Sequence, residues 1–212
     1  MEAPRKELSR RTIVIGSIIP IAVVCLLGVV GIQLIATKLD LAQQTAEKNR
    51  SLRWIRDVLG RADEPIDTQR IAQLSAPKQL GTLRPATLYR STNDGERNRA
   101  FRWVGEGGYN GPIELAMATT DNGLITNLLV VGQNETPGFG DIVQDPEHHW
   151  IIGFRGRSLA NPPRDRWLLS ADGGMIDGLS GATITSSAIV NGVVNALRFL
   201  SDANGDENEF ER

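Results

Sequence analysis

The sequence predicts an α+β protein in which a single N-terminal transmembrane helix precedes a domain built on antiparallel hairpins. Three observations predict this class. Residues 12–36 contain no charged side chain, apolar residues recur with a period of two from residue 86, and residues 184–200 carry apolar residues at helical spacing. The first pattern is typical of a membrane span, the second of half-buried strands and the third of an amphipathic helix.

The composition is that of a folded protein and excludes several classes. Hydrophobic residues make up 41% of the 212 residues and 22 residues are glycine, which suits a turn-rich globular domain and not a disordered chain. The net charge of −2 gives no basic surface for nucleic acid. Cys25 is the only cysteine, so an internal disulfide and a multi-cysteine metal site are both excluded.

The charge-free segment at residues 12–36 is long enough to cross a membrane. A helix of that length rises about 37 Å, against a hydrocarbon core of about 30 Å. The segment is too long for a cleaved signal peptide, and the two arginines before it, which resemble a twin-arginine signal, are also expected beside a membrane span. We therefore predict an uncleaved anchor.

The charges on either side of the anchor predict its orientation. Four basic residues precede it, whereas Lys38 alone follows it, with Asp40 close behind; the four are Arg5, Lys6, Arg10 and Arg11. The positive-inside rule predicts that residues 1–11 are cytoplasmic and that everything after about residue 37 lies outside the cytoplasm.

Residues 37–85 predict a juxtamembrane helix followed by a connection. Leu52, Ile55 and Leu59 recur at helical spacing, and Gly60 is a typical residue to end the helix. The rest of this region contains several prolines and predicts irregular structure, with one short helix near residues 71–74.

Two turn sequences predict two hairpins in the centre of the chain. Asn-Asp-Gly at residues 93–95 and Asp-Asn-Gly at residues 121–123 each lie between strand-like runs. A glycine-rich loop at residues 107–112 separates the hairpins and is expected to break the sheet. Two interpretations of this loop stay open, a close approach to a ligand and a wide turn.

The segment after the hairpins predicts no metal site and no nucleophilic enzyme. His148 and His149 are adjacent, so their side chains are expected to diverge, and no acidic residue or cysteine stands at ligand spacing. No histidine stands where it would suggest a catalytic pair with Ser180, which argues against nucleophilic hydrolysis. Residues 167–177 predict a strand and a turn.

Residues 177–183 (DGLSGAT) predict a loop that leads into a helix N-terminus. The first N–H groups of a helix have no partner within it, and the helix dipole places partial positive charge there. Small residues would let the backbone approach an anion such as phosphate. The alternative is that Ser180 or Thr183 is simply an N-cap, and spacing alone does not decide between the two.

Residues 135–140 (ETPGFG) predict a fixed, exposed turn. One proline and two glycines leave backbone N–H groups outside any strand ladder. Thr136 and Phe139 add a hydroxyl and an aromatic ring, a combination that suits a flat ligand with polar edges. The alternative is a loop without a ligand.

Three motifs that follow a single membrane span resemble those of the G subunit of the Rnf-type ion-translocating electron-transport complex. The motifs are Gly-Tyr-x-Gly-Pro-Ile at residues 108–113, Glu-Thr-Pro-Gly-x-Gly at 135–140 and Asp-x-x-Ser-Gly-Ala-Thr-x-Thr-Ser at 177–186. The C subunit of the sodium-pumping quinone reductase is similar, more distantly. The resemblance covers nearly the whole chain and implies an FMN-binding domain at residues 86–200. Residues 201–212 carry an excess of acidic side chains and are expected to form an acidic tail.

The resemblance implies a covalent cofactor. In the family, the last residue of Ser-Gly-Ala-Thr, here Thr183, carries FMN through a phosphoester that a separate Mg²⁺-dependent flavin transferase makes from FAD. In the family, the loop that corresponds to residues 135–140 lies against the flavin ring, which makes Thr136 and Phe139 the candidate contacts. The implied cofactor-binding residues are Tyr109, Glu135, Thr136, Gly138, Phe139, Gly140, Ser180, Gly181, Ala182, Thr183 and Thr185.

The implied function is a membrane-anchored electron carrier that works among the other subunits of its complex and turns over no substrate by itself. The implied location is the bacterial inner membrane, with the FMN domain in the periplasm. Two departures from the family are Asn134, where a histidine is frequent, and Phe139, where leucine is usual. The alternatives are an anchored module that binds a phosphate-bearing ligand reversibly and a purely structural subunit.

Overall fold

The computed structural model describes residues 5–61, 65–74, 78–93 and 96–202, and the side chains of residues 5–25, 92–93 and 96 lie outside this description. The chain divides after Ser51 into two compact units. The predicted acidic tail falls outside the described residues from position 203 onward, as do Asp94 and Gly95 of the first predicted turn.

The first unit is one long helix, α1 (Arg5–Ser51). It contains the predicted span, although the side chains of its first half and of the four basic residues lie outside the described residues. From Leu26 onward the large apolar side chains of the span are exposed. Within the described part of the chain, one helical segment, which begins at Leu26, is long and apolar enough to cross a membrane, and none of its apolar window is buried. A core helix of a soluble protein would bury that surface.

The second unit is a five-stranded antiparallel sheet with helices on both faces. Each strand pairs with the next along the chain, so the order is sequential. The elements are α2 (Arg53–Leu59), β1 (Ile71–Leu74), β2 (Ala86–Asn93), β3 (Glu96–Gly108), β4 (Gly111–Thr120), β5 (Ile125–Gly132), α3 (His149–Ile152) and α4 (Thr183–Asp202). The prediction of an α+β fold built on antiparallel hairpins is confirmed, and both hairpins lie where the turn sequences predicted them.

The predicted short helix near residues 71–74 is wrong, because this segment is the edge strand β1. Ile71 pairs with Tyr89 and Leu74 pairs with Ala86 on β2. A run of four residues is too short for its periodicity to distinguish a strand from a helix. The tertiary pairing with β2 decides the conformation.

The glycine-rich loop does not break the sheet. Gly108 on β3 pairs with Gly111 on β4, so residues 109–110 form a tight turn and the two strands are continuous. The backbone irregularity is a register shift between Gly105 and Gly108, where Gly107 has a φ of +90°. Glycine accommodates this φ without strain, and the bulge thereby keeps the sheet intact.

The predicted strand at residues 167–177 is also wrong. Here Leu169 and Ile176 form an isolated bridge, and Ser170–Asp172 is a short 3₁₀ turn. Leu169 and Ile176 are buried, whereas Leu168 is exposed, so the apolar residues anchor a compact loop.

Helix α4 covers one face of the sheet. A Cβ atom at Gly192 would lie 3.1 Å from Leu115 Cδ1 and 3.7 Å from the Cα of Gly105, so glycine lets the helix approach β3 and β4 closely. The large buried side chains between α4 and the sheet are Ile189, Val193 and Leu197 from the helix and Phe101, Trp103, Leu115, Met117 and Leu128 from the strands. This layer is the main core and fixes where α4 begins.

Helix α2 covers the opposite face. Three alanines at Ala100, Ala116 and Ala118 leave space on the sheet for Trp54, Ile55 and Val58 of the helix. Above them the guanidinium of Arg102, paired with Glu114 at 2.7 Å, lies 5.9 Å from the centre of the Trp54 ring. Helix α2 ends at Gly60, as predicted, where φ is +67°.

Arg99 holds the far end of α4 against the sheet. Its guanidinium donates to the carbonyl oxygens of Leu200 at 3.1 Å, Thr120 at 3.1 Å and Asp121 at 2.7 Å. Burial lowers the pKa of Arg99 from its ordinary value, Asp121 opposes this shift, and Arg90 adds to it. A cation at the C-terminal turn also interacts favourably with the helix dipole.

The packing of α2 predicts that Ile55→Ala destabilises the second unit. Ile55 is fully buried, and deleting its side chain removes transfer free energy and leaves a cavity, at a cost of about 2–5 kcal/mol in the free energy of unfolding. Leu83→Ala is the matched control, since Leu83 is 94% exposed and its truncation should change stability by less than about 0.5 kcal/mol. Unfolding of the detergent-solubilised chain is followed by tryptophan fluorescence. Equal stability of the two variants would contradict the assigned packing.

Candidate functional site

One cleft brings together the predicted site residues, with the exception of Ser180 and Gly138. Its volume is about 410 Å³, within the range of about 300–1,000 Å³ that is usual for ligand pockets. It lies at the N-terminal end of α4, beside the β3–β4 turn and the loop that follows β5. The lining residues are Tyr109, Glu135, Thr136, Phe139, Gly140, Gly181, Ala182, Thr183, Ile184 and Thr185.

The start of α4 presents unpaired backbone donors to this cleft. Thr183 is the first helical residue, and the first bond of the helix runs from the N–H of Ser186 to the carbonyl of Ala182 at 2.9 Å. Within the described residues, the N–H groups of residues 183–185 have no acceptor. Gly181 precedes them with a φ of +74°, which turns the chain into the helix. This arrangement suits an anion such as phosphate.

The hydroxyls of Ser180 and Thr183 do not cap the helix. Neither forms a hydrogen bond to any described part of the chain, and both residues are exposed. Ser186 orders the loop instead, because its buried hydroxyl accepts from the N–H of Leu179 and donates to the carbonyl of Ala182, both at 2.9 Å. The N-cap interpretation of Ser180 and Thr183 is therefore wrong, and Thr183 is an exposed residue that lines the cleft.

Glu135 connects the three sequence motifs. One carboxylate oxygen accepts the backbone N–H of Asn110 at 3.1 Å, and the other accepts the hydroxyl of Thr185 at 2.5 Å. The side chain of Asn110 also donates to Thr136 Oγ1 at 3.2 Å. The β3–β4 turn, the loop after β5 and the first turn of α4 thus meet at one carboxylate, which is 5% exposed.

Two glycines make room for this carboxylate. A Cβ atom at Gly140 would lie 2.8 Å from both Glu135 Cβ and Thr185 Oγ1. A Cβ atom at Gly108 would lie 2.7 Å from Glu135 Oε1. Real Cβ atoms do not approach other atoms so closely, so both positions require glycine for packing reasons.

Exposed apolar side chains form the rim of the cleft. Phe139 is 52% exposed and Tyr109 is 67% exposed. The Phe139 ring packs on Gly181, where a Cβ atom would lie 2.8 Å from Phe139 Cδ1. Ile184 begins the apolar pattern that predicted the helix, but its side chain is 51% exposed, because it lines the cleft. Such a rim can contact a flat aromatic ligand.

Gly138 and Ser180 are near the cleft in sequence without lining it. Gly138 has a φ of +79° inside a turn that is closed by a hydrogen bond from Phe139 N–H to the Thr136 carbonyl at 3.1 Å. This turn orients the Phe139 ring. Whether the predicted residues bind a cofactor stays a prediction, since the structure describes only their positions.

Sequence reasoning missed three residues of the site. Asn110 acts through its backbone N–H, which leaves no trace in residue type. Ile184 resembled an ordinary core residue of the helix. Ser186 carried a usable signal, because it is the last hydroxyl of the motif at residues 177–186 and stands four residues after Ala182, within reach of that residue's carbonyl.

The two histidines lie away from the lining of this cleft. His148 Nδ1 accepts the N–H of Trp150 at 3.4 Å at the start of α3. The rings of His148 and His149 are 4.4 Å apart, so the expectation that the side chains diverge is wrong. No group of three potential metal ligands occurs among the residues that the structure describes.

Comparison with known proteins extends over nearly the whole chain. The family model of the FMN-binding domain matches residues 108–198, which include the entire cleft. The G subunit of the ion-translocating oxidoreductase complex of Pseudomonas aeruginosa (strain UCBPP-PA14) is 32% identical over 95% of this chain and 92% of its own length. The chain belongs to this G-subunit family. The G subunit of the same complex of Stutzerimonas stutzeri is also 32% identical, over 94% of this chain and 83% of its own.

Among solved structures, this chain is similar to the C subunit of the sodium-translocating NADH-quinone reductase from Parabacteroides distasonis. The TM-score is 0.49 and the identity 16%, over 76% of this chain and 96% of the other. A likeness at this level supports no conclusion about function.

The packing around Glu135 predicts that Gly140→Ala destabilises the second unit of the chain. The new methyl group would force Glu135 and Thr185 apart, and overpacking of this kind costs about 1–3 kcal/mol. Gly178→Ala is the matched control, because its methyl group would lie 3.6 Å from Leu169 Cδ1, an ordinary contact. Thermal unfolding of both variants measures the difference. If Gly140→Ala is as stable as Gly178→Ala, the described contact between the two loops is wrong.

Proposed function

We propose that this chain is a membrane-anchored electron carrier, with FMN bound covalently through a phosphoester to Thr183. It relays electrons within an Rnf-type ion-translocating oxidoreductase complex, among the other subunits of that complex. The family to which the chain belongs and the FMN-binding domain at residues 108–198 support the cofactor and the setting. The observation that carries the covalent linkage is that Thr183, at the start of α4, is exposed and its hydroxyl has no hydrogen-bond partner in the described part of the chain.

The residues of the cleft fit FMN. The unpaired N–H groups of residues 183–185 can donate to a phosphate, and the positive end of the helix dipole favours its charge. Tyr109 and Phe139 offer aromatic surfaces to the flavin ring, and Thr136 offers a hydroxyl at its edge. FMN supplies one- and two-electron redox chemistry that belongs to the cofactor and leaves position, polarity and solvent access to the protein.

In the attachment step that we propose, FAD donates its FMN half to Thr183. The Thr183 oxygen forms a new bond to the phosphorus of the FMN half, and the pyrophosphate bond of FAD breaks. AMP leaves with the bridging oxygen, and the hydroxyl proton is released. A separate Mg²⁺-dependent flavin transferase catalyses this step, and it can reach Thr183 because the residue is exposed.

The anchor supports a membrane location for this chemistry. Helix α1 carries the span, and the basic residues before it favour a cytoplasmic N-terminus. We propose the bacterial inner membrane, with the FMN domain in the periplasm. The half-exposed rim of the cleft supports exchange of electrons with a neighbouring subunit, since the ring would not be enclosed.

Thr183→Val tests the covalent linkage. Valine keeps the shape of threonine and removes the hydroxyl, so the chain co-expressed with a flavin transferase should lose its fluorescent band on a denaturing gel. Ser180→Ala is the matched control, because it removes the neighbouring exposed hydroxyl and should leave the band unchanged.

Two outcomes would contradict the proposal. A fluorescent band that persists in Thr183→Val places the linkage elsewhere. A wild-type chain that is yellow when native and loses its flavin on denaturation and dialysis would favour reversible binding of a phosphate-bearing ligand.

A reporter fusion tests the proposed orientation. Alkaline phosphatase fused after residue 212 folds only outside the cytoplasm, so the fusion should be active. Replacing the four basic residues before the span by glutamine removes the charge asymmetry and should reduce this activity. A fusion that is inactive although the protein accumulates would overturn the orientation.

A further inference from the structure

Glu135 is a buried carboxylate whose described partners are all neutral. It accepts from a backbone N–H and from a hydroxyl, and its own N–H donates to Gln133 Oε1. No lysine, arginine or histidine in the described part of the chain forms an ion pair with it. Both carboxylate oxygens therefore have a hydrogen-bond partner, and neither partner carries a charge.

The surroundings of Glu135 do not cancel its charge. The first turn of α4 supplies the Thr185 hydroxyl, and a helix N-terminus is equivalent to roughly half of one elementary positive charge. A net negative charge therefore remains in a wall of the cleft, where the carboxylate is 5% exposed and water screens it poorly.

We propose that Glu135 lowers the reduction potential of the flavin that this cleft holds. Reduction adds electrons to the bound cofactor, and a fixed, poorly screened negative charge nearby disfavours that addition. This inference rests on the proposed function, because it requires FMN in the cleft. It assigns to Glu135 a role beyond joining the three motifs.

One substitution can remove the charge of Glu135 and keep its contacts with Asn110 and Thr185. In Glu135→Gln the amide oxygen can accept the Asn110 N–H, and the amide nitrogen can donate to Thr185 Oγ1, so both hydrogen bonds can be kept. The substitution removes the charge, keeps both contacts and reverses the direction of the hydrogen bond with Thr185. A residue with a merely structural role would leave the potential unchanged in this variant.

The experiment is a spectroelectrochemical titration of the full chain, loaded by co-expression with a flavin transferase. Glu135→Gln should retain the fluorescent gel band and shift the midpoint potential to a more positive value. The equilibrium constant for two-electron reduction should change by about tenfold or more, which corresponds to about 30 mV. Glu147→Gln is the matched control, since it removes the same charge from an exposed position and should leave the potential unchanged.

The outcomes distinguish this inference from the proposed function. A wild-type chain without covalent flavin overturns both. A Glu135→Gln chain that carries flavin at the wild-type potential overturns the inference alone, and so does a folded Glu135→Gln chain that takes up no flavin.

If the Glu135→Gln chain does not fold, Thr185→Val becomes the deciding variant. This change removes the hydroxyl that offsets part of the charge on Oε2, so the potential should become more negative. An unchanged or more positive potential would overturn the inference.

Discussion

The site depends on the hydrogen bonds that a single carboxylate accepts. Glu135 joins the turn after β3 to the first turn of α4, two segments that are far apart in sequence. A buried carboxylate is costly unless its oxygens are paired, so the loops that supply its donors are held in place. The glycines at positions 108 and 140 follow from the same constraint, because only glycine leaves space beside the carboxylate. Three motifs that are separate in the sequence are therefore parts of one contact.

Helix α4 must satisfy two different requirements along its length. Its body packs Ile189, Val193 and Leu197 on the sheet, and Arg99 fixes its last turn. Its first turn lines the cleft and presents N–H groups without an acceptor in the described part of the chain, together with Thr183. The buried body supplies the stability that lets an unsatisfied N-terminus persist, since helix stability comes mostly from tertiary packing. The position of Thr183 therefore depends on the packing of residues that lie at least one helical turn further along α4.

The sequence predicted the hairpins and the start of α4 well, because their signals are local. Turn residues and helical spacing act over a few positions and do not depend on distant parts of the chain. The errors have the opposite origin. Residues 71–74 became a strand because β2 offered an edge, and Leu169 became a loop anchor because the core accepted it from an irregular segment. For the site, the family resemblance implied that the three motifs contribute to one cofactor site, but the role of the Asn110 N–H could not be predicted, since any residue except proline supplies that donor.

The exposure of the cleft gives a physical reason for the covalent linkage that we propose. Ligand pockets that hold their ligands by contacts alone usually bury about 70–90% of the ligand surface. Here Phe139, Tyr109 and Ile184 remain half exposed or more, so contacts with a flat ring would leave much of it in water. An open site favours electron exchange with a neighbouring subunit but retains a free cofactor poorly. The phosphoester that we propose at Thr183 would remove that conflict, because retention would no longer depend on burial and the rim could stay open.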